Sequence, residues 1–333
     1  MRASIIICTR DRAEHLRPTL DSLAAVTVPA DWSVELILVD NGSTDDTRSV
    51  MHSFTHPALH IRILQVNTPG KSKALNRAVK AANGKVLLFT DDDVRVPPQW
   101  IGGMCRPILC GEADAVAGGV ELASSVQTDW MNPQHRSQLA STEQMSPQAP
   151  EHLVGANMAI GRHVFDCVPH FDTELGAGKL GNGEDTLFAW QMREAGFTIV
   201  SAFDVVVEHH PDRSRLSRDS FYQMAKGVGR SEAYINYHWR NQTDWNVVSL
   251  LGGLVFFGLK LAWWRLRHWR TMRDEDQPYM KEFDLVRRLY RVRQHLVERG
   301  RDPKYAPYGL VKRRAPDGTE PTSQATPCEA TSL

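Results

Sequence analysis

Residues able to bind a charged ligand follow four short apolar runs in this 333-residue chain. In chain order these residues are Thr9, Arg10, Asp11 and Arg12; Asp40 and Asn41; Lys71; and Asp91, Asp92 and Asp93. In an open parallel sheet, ligands bind outside the carboxyl ends of the strands. One polar loop at a strand end is common, but four at one edge predict a ligand site.

The run Asp91–Asp93 has a chemistry of its own. Three adjacent carboxylates repel one another unless a positive charge lies among them. Oxygen ligands of this kind favour Mg²⁺ or Mn²⁺, which bind through one or two carboxylates and substrate phosphates. The alternative is a helix N-terminus before Pro97, where an acid is favoured by the dipole. Because a cap needs one Asp and not three, we predict a divalent metal here.

A second acidic pair, Glu184 and Asp185, stands where a helix is predicted to begin. The helix dipole stabilises an ionised carboxylate at this position, and such a group is ready to accept a proton. Acids are also common at helix starts for structural reasons alone. The pair by itself therefore leaves a catalytic base and a structural role equally open.

The elements that must position these residues follow a repeating pattern. Continuous β-branched runs favour strands buried on both faces, and helical segments separate them. The strands are predicted at Ser4–Cys8, Val34–Val39, Ile61–Val66, Val86–Thr90, Ala115–Gly119, Thr198–Ala202 and Val205–Glu208. The helices are predicted at Glu14–Ala25, Thr44–Phe54, Ser72–Ala82, Pro97–Cys110 and Asp185–Ala195, with a long loop over 123–150. This alternation predicts an α/β, doubly wound, mostly parallel sheet with flanking helices.

Charge is balanced overall but divided unevenly along the chain. The 39 basic and 39 acidic residues cancel, which argues against nucleic acid as a partner. Residues 1–264 carry 24 basic and 29 acidic side chains, a net charge of −5. Residues 265–314 carry 15 and 7, or +8, and the last 19 residues carry three acids and no base. The net charge of zero therefore results from segments of opposite net charge.

Six segments together resemble the family 2 glycosyltransferases, inverting enzymes of the GT-A fold. They are IIICTRDR (5–12), LVDNGSTDDT (38–47), GKSKALNRAVKAANG (70–84), VLLFTDDDV (86–94), GANMAI (155–160) and GEDTLFAWQMREAGF (183–197). The resemblance covers roughly residues 1–210 in the family's order and spacing. It implies the nucleotide-diphospho-sugar transferase version of the Rossmann-like sheet.

The resemblance also implies roles for single residues. Thr9, Arg10 and Asp11 would line the nucleotide pocket, Asp40 and Asn41 would contact base or ribose, and Lys71 would lie near the diphosphate. Asp91 and Asp93 would be the metal-binding pair, with Asp92 beside the substrate, and His209 an additional metal ligand with His210 in reserve. Gly155 and Asn157 would shape the sugar or acceptor pocket, and Asp185, or else Glu184, would be the catalytic base.

The implied reaction is inverting sugar transfer by a single displacement, assisted by Mn²⁺ or Mg²⁺, from a nucleotide-diphospho-sugar to a saccharide or lipid-linked acceptor. Many relatives carry a second Asp where Asn41 stands, so UDP, TDP and GDP all remain open. Two alternatives remain. One is a nucleotidyltransferase using the same metal site, and the other is a membrane-bound, non-catalytic protein that binds sugar nucleotides.

Residues 245–264 form an apolar stretch with one charge, Lys260, long enough to cross about 30 Å of hydrocarbon. Arginines follow it directly, which places the C-terminal flank in the cytosol. A domain that uses nucleotide sugars is also cytosolic. A single crossing of the membrane cannot place both this domain and the C-terminal flank in the cytosol. We expect a re-entrant or in-plane helix at the cytoplasmic face of the inner membrane, with a buried helix of a globular appendage as the alternative.

The predicted domain organisation combines these observations. Residues 1–215 are expected to form the catalytic domain, with 1–120 as its nucleotide-binding half and 121–215 as its acceptor half. Residues 216–314 are expected to form a helical, basic, membrane-associating region. Residues 315–333 lack large apolar side chains and are predicted to be a disordered tail.

Overall fold

The computed structural model describes residues 2–148, 150, 152–274 and 276–312. Within this part of the chain, residues 2–173 and 184–211 form one compact unit, and residues 174–183 and 212–312 form a second. The predicted domain boundary at 215 stays a prediction. The tail predicted for 315–333 lies outside the described residues.

The first unit is built on one eight-stranded mixed sheet. Its strands are β1 Ala3–Thr9, β2 Val34–Asp40, β3 Leu59–Gln65, β4 Val86–Thr90, β5 Val94–Arg95, β6 Ala115–Leu122, β7 Met158–Gly161 and β8 Ile199–His209. Their order across the sheet is β3-β2-β1-β4-β7-β6-β8-β5. Strands β7 and β5 are antiparallel to their neighbours, and the other pairings are parallel.

Continuous burial explains why the first strands read as unbroken apolar runs. Every residue of β2 is buried, and Ile5, Ile6 and Ile7 of β1 are completely buried. Successive side chains of a strand point to opposite faces, so Ile5 and Ile7 join one core and Ile6 joins the other. A fully buried side chain of this size contributes roughly 1.5–3 kcal/mol, and this fixes the register that aligns the strand ends.

Seven helices accompany the sheet within the described part of the first unit. They are α1 Ala13–Ala24, α2 Thr47–Ser53, α3 Lys71–Ala81, α4 Trp100–Leu109, α5 Pro133–Gln138, α6 Val164–Cys167 and α7 Glu184–Glu194. Helix α5 lies inside the predicted 123–150 loop, so the prediction of a continuous loop is wrong. Asn132 caps this helix through the His135 backbone N–H, and Pro133 is its first residue, a combination that favours a helix start.

The two strands predicted at Thr198–Ala202 and Val205–Glu208 are one strand, β8. Asp204, between the two predicted segments, is exposed and lies where the register with β6 shifts between Gly118 and Gly119. A bulge of this kind holds extra residues without ending the strand. The correction matters because β8 carries His209 at its end.

Asn157, the residue before β7, has a buried side chain that hydrogen-bonds to two strands and one helix. Its Oδ1 accepts from Trp100 Nε1 at 2.8 Å, and its Nδ2 donates to the carbonyls of Gly119 (2.8 Å) and Val205 (2.9 Å). The side chain has no solvent exposure. It therefore satisfies polar groups in the core, which is the usual requirement for a buried amide.

The second unit contains the helices α8 Arg218–His238, α9 Val247–Asp274 and α10 Met280–Glu298. Helices α8 and α10 approach closely at Gly229, where an added Cβ would lie 2.1 Å from the Arg287 carbonyl oxygen. The buried Glu282 of α10 accepts from Arg218 of α8 and Arg265 of α9, each at 2.7 Å. One carboxylate thus ties the three helices together.

We expect Asn157→Leu to lower the free energy of unfolding by about 3 kcal/mol, because it leaves one buried donor and two buried acceptors without partners. Urea unfolding followed by circular dichroism measures this change. The matched variant Asn67→Leu, at an exposed loop position, should change stability by less than about 0.5 kcal/mol. Equal stability of both variants would show that the Asn157 hydrogen bonds contribute little.

Candidate active site

The strand register brings the predicted loops to one edge of the sheet. Thr9 at the end of β1 pairs with Asp40 at the end of β2, and Thr90 of β4 pairs with Ile7. The carboxyl ends of these parallel strands therefore lie side by side. The residues that follow them form two clusters, one around Lys71 and one around Asp93, beside a set of interlocking loops.

Lys71 is the centre of the first cluster. It is the first residue of α3, and the chain enters this helix through Gly70, whose φ of +139° disfavours a residue with a side chain. Lys71 Nζ lies 2.8 Å from Asp91 Oδ1 and 3.8 Å from Glu184 Oε1. Burial lowers the pKa of Lys71, but Asp91 and Glu184 outweigh it and raise that pKa above its usual range.

A small pocket surrounds Lys71. Its polar lining comes from Cys8, Lys71, Thr90, Asp91, Glu184 and Asp185, and Gly155 supplies backbone. Leu75, Phe89, Met158 and Phe171 form its apolar lining. The structure therefore brings five of the predicted site residues to one place: Lys71, Asp91, Gly155, Glu184 and Asp185. Cys8 was not predicted, and its position one residue before the strand end was the available signal.

The acidic pair at the start of α7 has two different environments. Glu184 is buried, and burial followed by the charge of Asp185 raises its pKa to about 7 despite the opposing effect of Lys71. Asp185 is partly exposed. Its Oδ2 accepts from Gly155 N at 3.1 Å and its Oδ1 from Thr186 N at 2.7 Å. The Asp185 carboxylate is thus oriented by backbone donors and remains accessible.

Arg12 organises the second cluster, although no single role was predicted for it. Its Nε lies 2.9 Å from Asp92 Oδ1, and a terminal nitrogen donates to Asp93 Oδ2 at 2.6 Å. Burial raises the pKa of Asp92 to about 6, against the opposing charge of Arg12. The need for a positive charge among three carboxylates was evident from the sequence, but it did not show that Arg12 supplies part of it.

His209 lies beside Asp93, at the end of β8. Its Nδ1 is 2.8 Å from the Leu139 carbonyl oxygen, which only accepts, so Nδ1 carries the proton. Its Nε2 faces Asp93 Oδ1 at 3.3 Å. His210 has a different partner, because its Nε2 lies 3.4 Å from Glu208.

The predicted metal ligands are divided between the two clusters. Asp93 and His209 face each other, whereas Asp91 pairs with Lys71. Within the described residues, no group of three or more His, Cys, Asp or Glu side chains is arranged to hold a metal ion. Two ligand atoms about 3.0–3.3 Å apart nevertheless suit adjacent positions on an ion with bonds of about 2.1 Å. The pair fits a site completed by substrate phosphates.

The remaining predicted residues hold neighbouring loops together. Asp40 is completely buried and accepts from Ser43 N (2.8 Å) and from Arg48. Burial raises the pKa of Asp40, but its hydrogen bonds to Ser43 and Arg48 outweigh this and hold the pKa below its usual value. With its amide turned to match its neighbours, Asn41 donates to the Thr68 carbonyl at 3.2 Å and accepts from Gly70 N at 3.3 Å.

The β1 loop is held in the same way. Asp11 has a φ of +51° and accepts from Thr44 N at 2.6 Å, a hydrogen bond that lowers its pKa. Thr9 is buried, and Arg10 is exposed with an ion pair to Asp11 at 3.4 Å. Asn157 is the exception among the predicted residues. Because its amide is saturated inside the core, the structure replaces its predicted substrate contact with a structural role.

The mixed sheet with its flanking helices is the GT-A type of fold. A mannosyltransferase from Pyrobaculum calidifontis, solved with GDP-Man and Mn²⁺, matches 89% of this chain and 69% of its own with a TM-score of 0.53 and 18% identity. At that identity the likeness shows the fold alone, and it confirms the predicted fold class.

Sequence comparison gives the family of the first unit. Residues 4–168, about half of the chain, match the family described as "Glycosyl transferase family 2", so this part of the chain belongs to that family, as predicted. The glycosyltransferase AglE of Haloferax volcanii is 25% identical over 209 residues, which are 62% of this chain and 66% of AglE. The succinoglycan biosynthesis protein ExoM of Rhizobium meliloti is 32% identical over 122 residues, 36% of this chain and 39% of ExoM. The chain thus spans less than two thirds of either relative.

Glu184 should make stability depend on pH. Because its pKa is about 7 when folded against an ordinary value of 4.5, the folded state holds this proton more tightly. Stability from this group is therefore present below about pH 4.5 and is lost as the pH rises to about 7. In metal-free buffer, we expect Glu184→Gln to gain about 2 kcal/mol relative to the parent between about pH 5 and pH 8.

Urea unfolding at the two pH values measures this difference. Glu194→Gln, at an exposed position on the same helix, serves as the matched control and should show the same difference from the parent at both pH values. A pH-independent difference for Glu184→Gln as well would show that the environment of Glu184 leaves its pKa near 4.5.

Proposed function

We propose that this protein transfers a sugar, with inversion, from a nucleotide-diphospho-sugar to a saccharide or lipid-linked acceptor. The observation that carries the proposal is the pocket in which Lys71 at the start of α3, Asp91 after β4 and Asp185 at the start of α7 converge at the carboxyl edge of the sheet. It combines a cation, an accessible carboxylate and backbone donors, which inverting displacement requires. Membership of the family supports the same conclusion.

Asp185 is the proposed base for the acceptor hydroxyl. Its carboxylate is oriented by the N–H groups of Gly155 and Thr186 and is open to the pocket. Glu184 is the weaker choice, because it is buried and its raised pKa leaves it partly protonated at neutral pH. Lys71 lies close enough to Asp91 and Glu184 to hold positive charge beside the place where a diphosphate leaves.

Asp93 and His209 are the proposed protein ligands for Mn²⁺ or Mg²⁺, with Asp91 nearby and phosphate oxygens completing the shell. A bound divalent ion would supply the positive charge that stabilises the leaving diphosphate. Arg12 would hold the second oxygen of Asp93 and so orient the first toward His209. Orientation of a ligand by such an outer partner is typical of metal sites. The mannosyltransferase that shares the fold was solved with Mn²⁺.

We also propose that the protein works at the cytoplasmic face of the inner membrane. One helix within the described residues, over Val247–Met272, is long and apolar enough to associate with a bilayer. The catalytic domain would be residues 1–215 and the membrane-associating region 216–314. A function in the synthesis of cell-envelope polysaccharide is consistent with the relative named for succinoglycan biosynthesis.

Turnover with a panel of UDP-, GDP- and TDP-sugars and Mn²⁺ tests the reaction. We expect Asp185→Asn to lower kcat by about 10²–10⁴-fold while the Kd for the donor nucleotide stays within a few-fold. Glu194→Gln is the control on the same helix and should keep full turnover. Full turnover of Asp185→Asn together with its loss in Glu184→Gln would reassign the base to Glu184.

The same panel separates the alternative functions. Release of pyrophosphate from a nucleoside triphosphate, without sugar transfer, would identify a nucleotidyltransferase. Binding of a sugar nucleotide without turnover against any saccharide or lipid-linked acceptor would favour the non-catalytic binding protein.

The metal site gives an independent prediction. We expect His209→Ala to weaken Mn²⁺ binding in the presence of the donor nucleotide by at least about tenfold, measured by electron paramagnetic resonance of free Mn²⁺. His210→Ala is the matched control, because its ring pairs with Glu208, and it should bind Mn²⁺ as the parent does. Equal affinities of the two variants would remove His209 from the site.

A further inference from the structure

Helix α9 has an exposed apolar side. Five large residues between about half and three-quarters exposed recur along it at helical spacing: Val248, Leu251, Val255, Leu259 and Leu266. We call these residues the open stripe. Their spacing of three, four, four and seven residues places them on one side of the helix. At 1.5 Å per residue the stripe is about 27 Å long. It is therefore an extended apolar surface and not a set of single exposed residues.

The opposite side of α9 packs along α10. Trp245 stacks on His295 at 4.6 Å, Gly253 lies against Val292, and Trp264 meets Tyr279 at 5.5 Å. As the residue number increases along α9, the number of its contact residue in or next to α10 decreases. The two helices are therefore antiparallel along their shared length. Since α9 is apolar on both sides, α10 explains only the buried side, and the open stripe needs another partner.

The packing against α10 excludes an ordinary membrane crossing by α9. Helix α10 carries exposed basic residues along its length, among them Lys281, Arg288 and Arg293. A crossing by α9 would carry these charges into hydrocarbon, at a cost of at least about 2.5 kcal/mol for each one near the bilayer centre. An orientation parallel to the surface avoids this, because only the open stripe would then enter the bilayer.

Cations lie beside the stripe on the same helix. Lys260 lies over the Phe256 ring at 4.4 Å, and Arg267 over the Trp263 ring at 5.5 Å. All four of these residues are exposed. The amphipathic ring of Trp263 favours the headgroup level of a bilayer, and basic residues at that level attract anionic lipid. This arrangement matches an anionic membrane surface, whereas pairing two copies through the stripe would bring like charges together.

We propose that α9 lies in the plane of an anionic bilayer, with the open stripe in the acyl region and Lys260 and Arg267 at the headgroups. The inference rests on the membrane location proposed above and is independent of the reaction. It defines the occupant of the stripe as lipid and the mode of attachment as parallel to the surface.

Sedimentation of the full chain with lipid vesicles tests the occupant. We expect binding to vesicles of phosphatidylcholine with phosphatidylglycerol, and weaker binding to phosphatidylcholine alone or at high salt. The double variant Val255→Asp with Leu259→Asp should lose at least about tenfold in affinity, since it places charge in the acyl region. Val297→Asp with Val311→Asp is the matched control, at exposed positions outside α9, and should bind as the parent does.

A fluorescent amino acid at position 251 or 266 tests the orientation. These positions are 15 residues, or about 22 Å, apart along the helix. Nitroxide lipids should quench both probes from the same shallow depth. Depths that differ by most of this length would indicate a crossing and overturn the in-plane arrangement.

Two outcomes would overturn lipid as the occupant. The first is equal vesicle binding by the two double variants. The second is conversion of a dimer to a monomer by Val255→Asp with Leu259→Asp, without any effect on vesicles, which would identify a second copy as the partner. Turnover with soluble donor and acceptor, measured without vesicles, keeps this result separate from the proposed reaction, because the stripe variants should retain it.

Discussion

The site depends on the balance of negative charge at the carboxyl edge of the sheet. Five carboxylates converge there, and two cations pair with four of them: Lys71 with Asp91 and Glu184, and Arg12 with Asp92 and Asp93. The fifth, Asp185, accepts from backbone N–H groups. Burial is the main cause that raises the pKa of Glu184 to about 7 and that of Asp92 to about 6. A cation close to a buried carboxyl group favours its ionised form, and a divalent ion at this edge would act in that direction.

The strand order explains why these charges meet. Strand β1 lies between β2 and β4, so Arg12, which follows β1, stands next to the Asp91–Asp93 loop that follows β4. The same order leaves Asp40, at the end of β2, beside the Asp11 loop, where it accepts hydrogen bonds from Ser43 and Arg48. Residues at the ends of different strands thus have different contacts, because each strand has different neighbours in the sheet.

The sequence predicted the features that depend on neighbouring residues in the chain. Strand positions, the cluster of acids at strand ends and the helix beginning at Glu184 follow from hydrophobic pattern and capping. The pairings between distant residues did not follow. Nothing near Asn157 shows that Trp100, Gly119 and Val205 surround its amide, and nothing near Arg12 shows that it lies against Asp93. Such contacts depend on the strand register, which a single sequence specifies only through the whole fold.

Packing also determines which charged side chains of the positive segment after residue 264 reach the surface. Two of the three acids of α10 are buried: Glu282 is held by Arg218 and Arg265, and Glu298 lies against His238. The third, Asp284, is partly exposed and pairs with Arg287 and Arg288. The bases Arg293 and Arg299 are exposed. An approaching anionic bilayer therefore meets basic side chains on α10, which gives an apolar helix in the same unit a reason to remain at the surface.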